Sequence, residues 1–300
     1  MTTIGLLGAP SSAAAHWPGQ ERGPAALRAA GLVELLRTAG LDVADHGDRP
    51  VRRWAARPSA SGLNNLDAVV EVLQDVRSAL GRVLAAGQVP FVVGGECTLT
   101  LAMVSAMVTA GQDVGLMYVD GGQDLMNFDD HPHEPIADGM GVAHLLDLPG
   151  TAPELTGFGP RRPLLSPEQV CFFGYCGDDE DLHGRVSSWR FQAASVAADP
   201  AGAAAMAVSA LTSVTERFVV HFDVDVVNYL DFPAADVPHY RGLTLDQAMR
   251  ALAVMVRHPG FAGLTLTEFN PDHGEPDGST ARRLAEAVAA ALAPRERLGP

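Results

Sequence analysis

Three cysteines in 300 residues, Cys97, Cys171 and Cys176, are too few and odd in number for a disulfide framework, which points to a reducing compartment. Basic residues are also scarce: 21 Lys and Arg stand against 36 Asp and Glu, for a formal net charge of −15. Phosphate contacts need clustered Lys and Arg, so neither nucleic acid nor an anionic membrane is expected as a partner. No uninterrupted apolar run reaches membrane-spanning length. The opening residues, MTTIGLLGAP, carry no basic n-region and no long apolar h-region. A secretory signal is therefore not expected, and a cytoplasmic location is. What remains is an acidic chain with 47% apolar residues, enough for a sizeable core without staples. Its charge suits cationic ligands such as metal ions or guanidinium compounds.

Short apolar runs alternate with amphipathic segments. The runs Ile4–Leu7, Pro90–Val93, Gly115–Val119, Val170–Phe173, Phe218–Phe222 and Leu264–Thr267 are apolar almost throughout, as strands buried on both faces are. Between them, Leu66–Ala86 sets Val69, Leu73, Val76, Leu80 and Val83 on one helical face. Thr98–Thr109, Ala203–Ser213, Thr244–Val256 and Thr280–Leu292 read the same way. Strand–helix alternation predicts a parallel sheet covered on both sides, with ligands at the carboxyl ends of the strands. The stretches Phe128–Asp138 and Leu148–Leu165 read as loops. With no repeat and no obvious linker, one domain over residues 1–300 is expected.

Four motifs fall at predicted strand ends: VVGGECT (Val92–Thr98), VDGGQD (Val119–Asp124), HFDVDVV (His221–Val227) and TLTEFNPDHG (Thr265–Gly274). They would bring Cys97, Asp120, Asp124, Asp223, Asp225 and Glu268 to one sheet edge. A single aspartate at a strand end is ordinary turn chemistry. Four converging there repel one another unless a cation is present. Oxygen-rich ligation of this kind favours Mn²⁺ or Mg²⁺ over zinc. Glu268 ends an apolar strand, which favours a place in the site over the surface. Cys97 has two readings, a small buried apolar group or a ligand. His221 also has two, a satisfied core histidine or a group that orients an acid or a water. The Gly121–Gly122 pair lacks the Lys-Ser/Thr of a phosphate cradle.

These motifs, in this order, resemble the ureohydrolase superfamily of arginases, agmatinases and formiminoglutamases. The resemblance runs from GQERGPAALRAAGL (Gly19–Leu32) to the last helix. It implies a three-layer α/β/α fold with a mostly parallel sheet, of the arginase and deacetylase type. It further implies two manganese ions sharing a hydroxide, a small cationic or guanidino-type substrate, and a homo-oligomer. Carried over residue by residue, Asp120 and Asp223 would bridge the ions, Asp124 and Cys97 would hold the first, and Asp225 the second. Glu268 would orient the guanidinium group. The resemblance assigns Glu268, His221 and Asp124 to catalysis, and Asn127, Asp138 and Glu268 to substrate binding.

Two ligand positions depart from the family pattern. Cys97 stands where a histidine is usual, as in the branch that includes hydroxyarginine hydrolases, and Glu96 replaces the customary aspartate beside it. Gly122 replaces the second histidine and leaves a gap beside the second ion. One ion is thus as well expected as two. His131, His133 and His144 read as solvated, though one of them could swing in to replace the lost ligand. Three functions follow. The first is a hydrolase of a linear C–N bond in a guanidine, hydroxyguanidine or amidine. The second is a repurposed enzyme of secondary metabolism with another chemistry, and the third is a non-catalytic homologue.

Overall fold

The computed structural model describes residues 3–57, 62–130, 132–133, 135–177, 180–181 and 183–294. All six apolar runs form strands, and two more join them. In chain order these are β1 (Ile4–Ala9), β2 (Val43–Asp48), β3 (Val89–Gly94), β4 (Val114–Val119), β5 (Val170–Phe173), β6 (Trp189–Phe191), β7 (Arg217–Asp223) and β8 (Phe261–Thr267). They make one sheet in the order β2-β1-β3-β8-β7-β4-β5-β6, and every pairing is parallel. The two strands absent from the apolar pattern are the two edges. VADHGD in β2 is largely solvent-facing, and WRF in β6 is short and partly exposed. An edge strand keeps one side in water and needs no apolar run.

Alternate residues of the central strands feed two cores. Met117 and Val119 of β4 join a cluster with the helices Leu32–Thr38, Pro200–Thr212, Leu245–Val256 and Ser279–Leu292. Leu116 and Tyr118 join a second cluster with Leu66–Ala85 and Leu99–Thr109 on the opposite face. This is the three-layer α/β/α fold. Local signals set the helix starts: Thr244 accepts from Gln247 N while the Gln247 side chain accepts from Thr244 N. Asp199 caps Pro200–Thr212, with Pro200 in the first turn, where a missing N–H costs nothing. Among the described residues no helix is long and apolar enough to cross a membrane.

The strand order does the assembling. β3, β8, β7 and β4 are neighbours in space though scattered in sequence, and each ends in one of the four motifs. The stretch Leu148–Leu165, expected as loop, holds one helical turn at Pro153–Thr156. His144, expected in solvent, is buried in the helix Gly141–Leu145. Its Nδ1 donates to the Met140 carbonyl at 2.7 Å, and its Nε2 accepts from Ala152 N at 3.2 Å.

Burial pushes the His144 pKa down to about 4, with the Met140 bond opposing. The ring is therefore neutral in the folded protein, whereas the unfolded chain protonates it below the ordinary histidine value. The stability it contributes is full above about pH 6.5 and is lost as pH falls toward about 4, by about 1.4 kcal/mol per pH unit. Urea unfolding of the protein and of His144→Gln should show their stability difference shrinking by about 2–3 kcal/mol between about pH 7 and about pH 4.5. A difference independent of pH would contradict a neutral buried ring.

Candidate metal centre

The four motifs meet around a cavity of about 180 Å³, room for roughly six waters. Its carboxylates are Asp120, Asp124, Asp138, Asp223, Asp225, Glu268 and Glu180, and no Lys or Arg lines it. Of the residues expected in the site, Cys97, Asp120, Asp124, Asp138, Asp223, Asp225 and Glu268 line the cavity. His221 lies behind them, fully buried, with Nε2 3.7 Å from Asp120 Oδ2. Asn127 is outside the lining; its Nδ2 donates to Asp130 Oδ2 and its Oδ1 accepts from Asp130 N, both at 3.0 Å.

Backbone amides and neighbouring side chains aim the acids. Asp120 Oδ1 accepts from Gly122 N at 2.5 Å, and Asp223 Oδ1 from Asp225 N at 2.6 Å. Asp225 Oδ1 accepts from Gly121 N at 2.9 Å, which ties the β7 end to the β4 end. Asp138 Oδ1 accepts from Cys97 N at 2.8 Å. Cys97 Sγ donates to Asp223 Oδ2 at 2.9 Å. Asp124 takes the Tyr118 hydroxyl, and Glu268 takes the Gln20 amide. Both Asp124 (φ 49°) and Glu268 (φ 65°) hold the left-handed conformation. For a non-glycine residue that costs about 1–2 kcal/mol, so surrounding contacts must enforce it. Glu96 points away from the cavity to Ser11 Oγ (3.0 Å) and Thr98 Oγ1 (3.2 Å).

Electrostatically the site is under tension. Burial, and after it the neighbouring carboxylates, raises Asp120 and pushes Asp124, Asp138, Asp223 and Glu268 well above the carboxylate range. Burial likewise pushes the Cys97 thiol well up, followed by the charges of Asp223 and Glu268. Asp225 is the exception. Burial acts against its charge, but the His239 cation and hydrogen bonds hold it below the usual range. His239 is raised to about 11 in return; burial opposes this and Asp225 outweighs it. Their Nε2 and Oδ2 are 3.4 Å apart.

A divalent cation suits this arrangement. Asp120 is 2% exposed, and its Oδ2 has no hydrogen-bond partner. One donor atom each from Cys97, Asp120, His221 and Asp223 lies within 4.8 Å of the other three, and the same holds for Cys97, Asp138 and Glu268. An ion among such groups would keep the acids ionised and satisfy the orphaned oxygen.

The expected gap at Gly122 is filled. A Cβ there would stand 2.7 Å from Glu180 Oε1, and a Cβ on Gly121 would stand 2.3 Å from the His239 ring. Glu180 accepts from Gln123 N at 2.8 Å and from Leu125 N at 2.9 Å. The glycine pair is thus the space into which side chains from two other loops reach. Sequence reasoning missed both His239 and Glu180. Each sits in a polar loop with no motif around it, and only the strand order places it here. His133 is exposed and His131 lies outside the described residues.

Comparison with known proteins gives one consistent relationship. The model of the Arginase family matches residues 2–293. Human Arginase-1 is 27% identical over 306 residues, covering 97% of this chain and 92% of its own length. The structure of the Bacillus caldovelox arginase superposes with a TM-score of 0.86 at 23% identity, over the whole of both chains. The Bacillus subtilis formimidoylglutamase superposes with a TM-score of 0.74 at 15% identity, covering 97% of this chain and 86% of its own.

Gly122→His should displace Glu180 from its two amides. In metal-free protein this is expected to cost about 1–3 kcal/mol in urea unfolding. In the Glu180→Ala background the same change should cost far less, because the bonds are already gone. Equal costs in both backgrounds would show that Glu180 does not occupy the space.

Proposed function

The chain belongs to the arginase family, and on that premise we propose that it is a metal-dependent hydrolase of a linear C–N bond in a guanidino, hydroxyguanidino or amidine group. The observation that carries this reading is a cavity lined by seven carboxylates and no Lys or Arg, at the carboxyl ends of four adjacent parallel strands. Such a cavity attracts cations and repels anions. Cys97 is close to two pairs of the carboxylates, Asp120 with Asp223 and Asp138 with Glu268.

In this reading Asp120 and Asp223 hold a divalent ion together with Cys97. The ion expected from aspartate-rich ligation is Mn²⁺, and one ion accounts for the donors as well as two. When bound, it supplies a Lewis acid that makes water nucleophilic at neutral pH. Glu268 accepts N–H groups of the planar substrate cation and holds its central carbon toward the Asp120 side. Its free Oε1 has no hydrogen-bond partner and is available for this. Burial and the Glu96 charge push the Asp138 carboxyl well above the carboxylate range, which favours its protonated form. It is placed to deliver that proton to the departing amine. Asp124, held by the Tyr118 hydroxyl and raised like Asp138 by burial and the Asp120 charge, could accept a proton from the attacking water where a bound cation favours its ionised form. Products would be an amine and urea or a relative of urea.

The filled glycine pair favours a second reading on the same cation. His239 and Glu180 reshape the wall where a family histidine would stand, so the reaction catalysed can differ while the substrate charge stays the same. Assembly into a homo-oligomer belongs to the proposal too, and mass measurement in solution tests it.

The activity test is a panel of guanidino, hydroxyguanidino and amidine compounds incubated with protein loaded separately with Mn²⁺, Zn²⁺ and Co²⁺, with urea, ammonia and free amine quantified. Turnover of at least one member is expected. Glu268→Gln should lower kcat/KM by about 10²–10³-fold on that compound. Metal-loaded protein inactive on the whole panel would overturn the hydrolase reading.

A further inference from the structure

His221 is more than a packed histidine. Its Nδ1 lies 2.6 Å from Thr100 Oγ1 and 3.0 Å from Thr265 Oγ1. Its ring is stacked on Tyr118, with centroids 4.2 Å apart and planes within 9°. Two hydroxyls and a stacking partner thus fix the imidazole from behind and on its face. Nε2 lies 3.7 Å from Asp120 Oδ2, the buried oxygen without a hydrogen-bond partner, and 3.5 Å from the Thr267 hydroxyl, a long contact that an ion could displace. Holding one ring nitrogen by a hydrogen bond so that the other is aimed is how proteins prepare a metal-ligating histidine.

The third aspartate of the expected first-ion set is engaged elsewhere. Asp124 accepts the Tyr118 hydroxyl and does not belong to the group of mutually close donors. Its place in that group is taken by His221. The set the fold assembles is therefore one sulfur, one nitrogen and two oxygens, all buried. Around a four-coordinate ion with bonds of about 2.0–2.3 Å, tetrahedral geometry separates neighbouring donors by roughly 3.3–3.8 Å. Here Cys97 Sγ and Asp223 Oδ2 are 2.9 Å apart, and His221 Nε2 and Asp120 Oδ2 are 3.7 Å apart. The second separation lies within the tetrahedral range and the first is short of it, so binding requires the Cys97 sulfur and the Asp223 oxygen to move apart.

We propose that Cys97, Asp120, His221 and Asp223 form a single tetrahedral site for a borderline-soft divalent ion of the Zn²⁺ or Co²⁺ type, in place of the two-manganese arrangement that the family resemblance implies. The inference rests on the reading above that the cavity holds a divalent ion, and it specifies the ion and its ligands. Thiolate and imidazole favour zinc and its neighbours, whereas carboxylate and water favour manganese and magnesium. Binding replaces the Cys97 S–H proton by the metal–sulfur bond, and the proton leaves to solvent. On the other side, Asp225 is paired with His239 and the space at Gly122 is taken by Glu180. The histidine described there, His239, is thus already engaged by a carboxylate.

The experiment uses the whole chain, stripped with a chelator and then dialysed separately against Zn²⁺, Co²⁺ and Mn²⁺. Metal content is measured by elemental analysis, and the Co²⁺ form by absorption spectroscopy. About one Zn²⁺ or Co²⁺ per chain is expected, with intense visible bands of four-coordinate Co²⁺ and a near-ultraviolet thiolate-to-cobalt band. Cys97→Ser should remove the thiolate band. Thr100→Val, which removes the hydroxyl behind His221 and no ligand, should weaken Zn²⁺ binding by about 10–100-fold in competition with a chromophoric chelator. The spectrum of the unaltered protein decides the matter even where a variant folds poorly. About two Mn²⁺ per chain, with no thiolate band in the Co²⁺ form, would overturn this inference and leave the hydrolase reading standing. No ion retained from any of the three would overturn both.

Discussion

Mutual repulsion among buried carboxylates is the constraint on which the rest of this structure depends. The order β3-β8-β7-β4 delivers acids from four strand ends into one small cavity. Inside a protein the Coulomb energy between them is far larger than in water. Each acid is restrained by backbone amides and neighbouring hydroxyls, and two of the residues hold left-handed backbone conformations. Such an arrangement is stable when protons or a metal ion neutralise it. The chain balances Asp225 itself, with His239, and leaves the other acids to what enters the cavity. The framework resists their repulsion because every strand that presents an acid is hydrogen-bonded on both sides and buried on both faces.

Much of this was legible in the sequence because parallel strands are written plainly. Six runs of apolar residues mark the six inner strands, and the five longest helices show apolar faces or caps. The two edge strands left no such mark, since VADHGD and WRF are half in solvent. Burial of His144 was equally hidden. A histidine in a short helix reads as polar, and only the Met140 carbonyl and the Ala152 amide on either side of the ring make it a core residue.

The site was legible in its acids and illegible in its walls. Asp120, Asp124, Asp223, Asp225 and Glu268 follow strands, so the pattern that locates a strand also locates them. Cys97 follows in the same way, one turn after the Gly94–Gly95 pair. His239 and Glu180 come from polar loops whose course no periodicity describes, and their contacts with Gly121 and Gly122 exist only in three dimensions. Asn127 shows the reverse. It sits beside the site in sequence, yet its amide is turned to Asp130.

The contact between Gly121 and His239 couples two positions far apart in the chain. With the imidazole 2.3 Å from where a methyl group at residue 121 would stand, any larger residue at 121 requires the ring at 239 to shift. That ring is the partner of Asp225, so a substitution just past the end of β4 would act on a carboxylate just past the end of β7. At Gly122 the facing atom is the tip of the flexible Glu180 side chain, and the coupling there is looser.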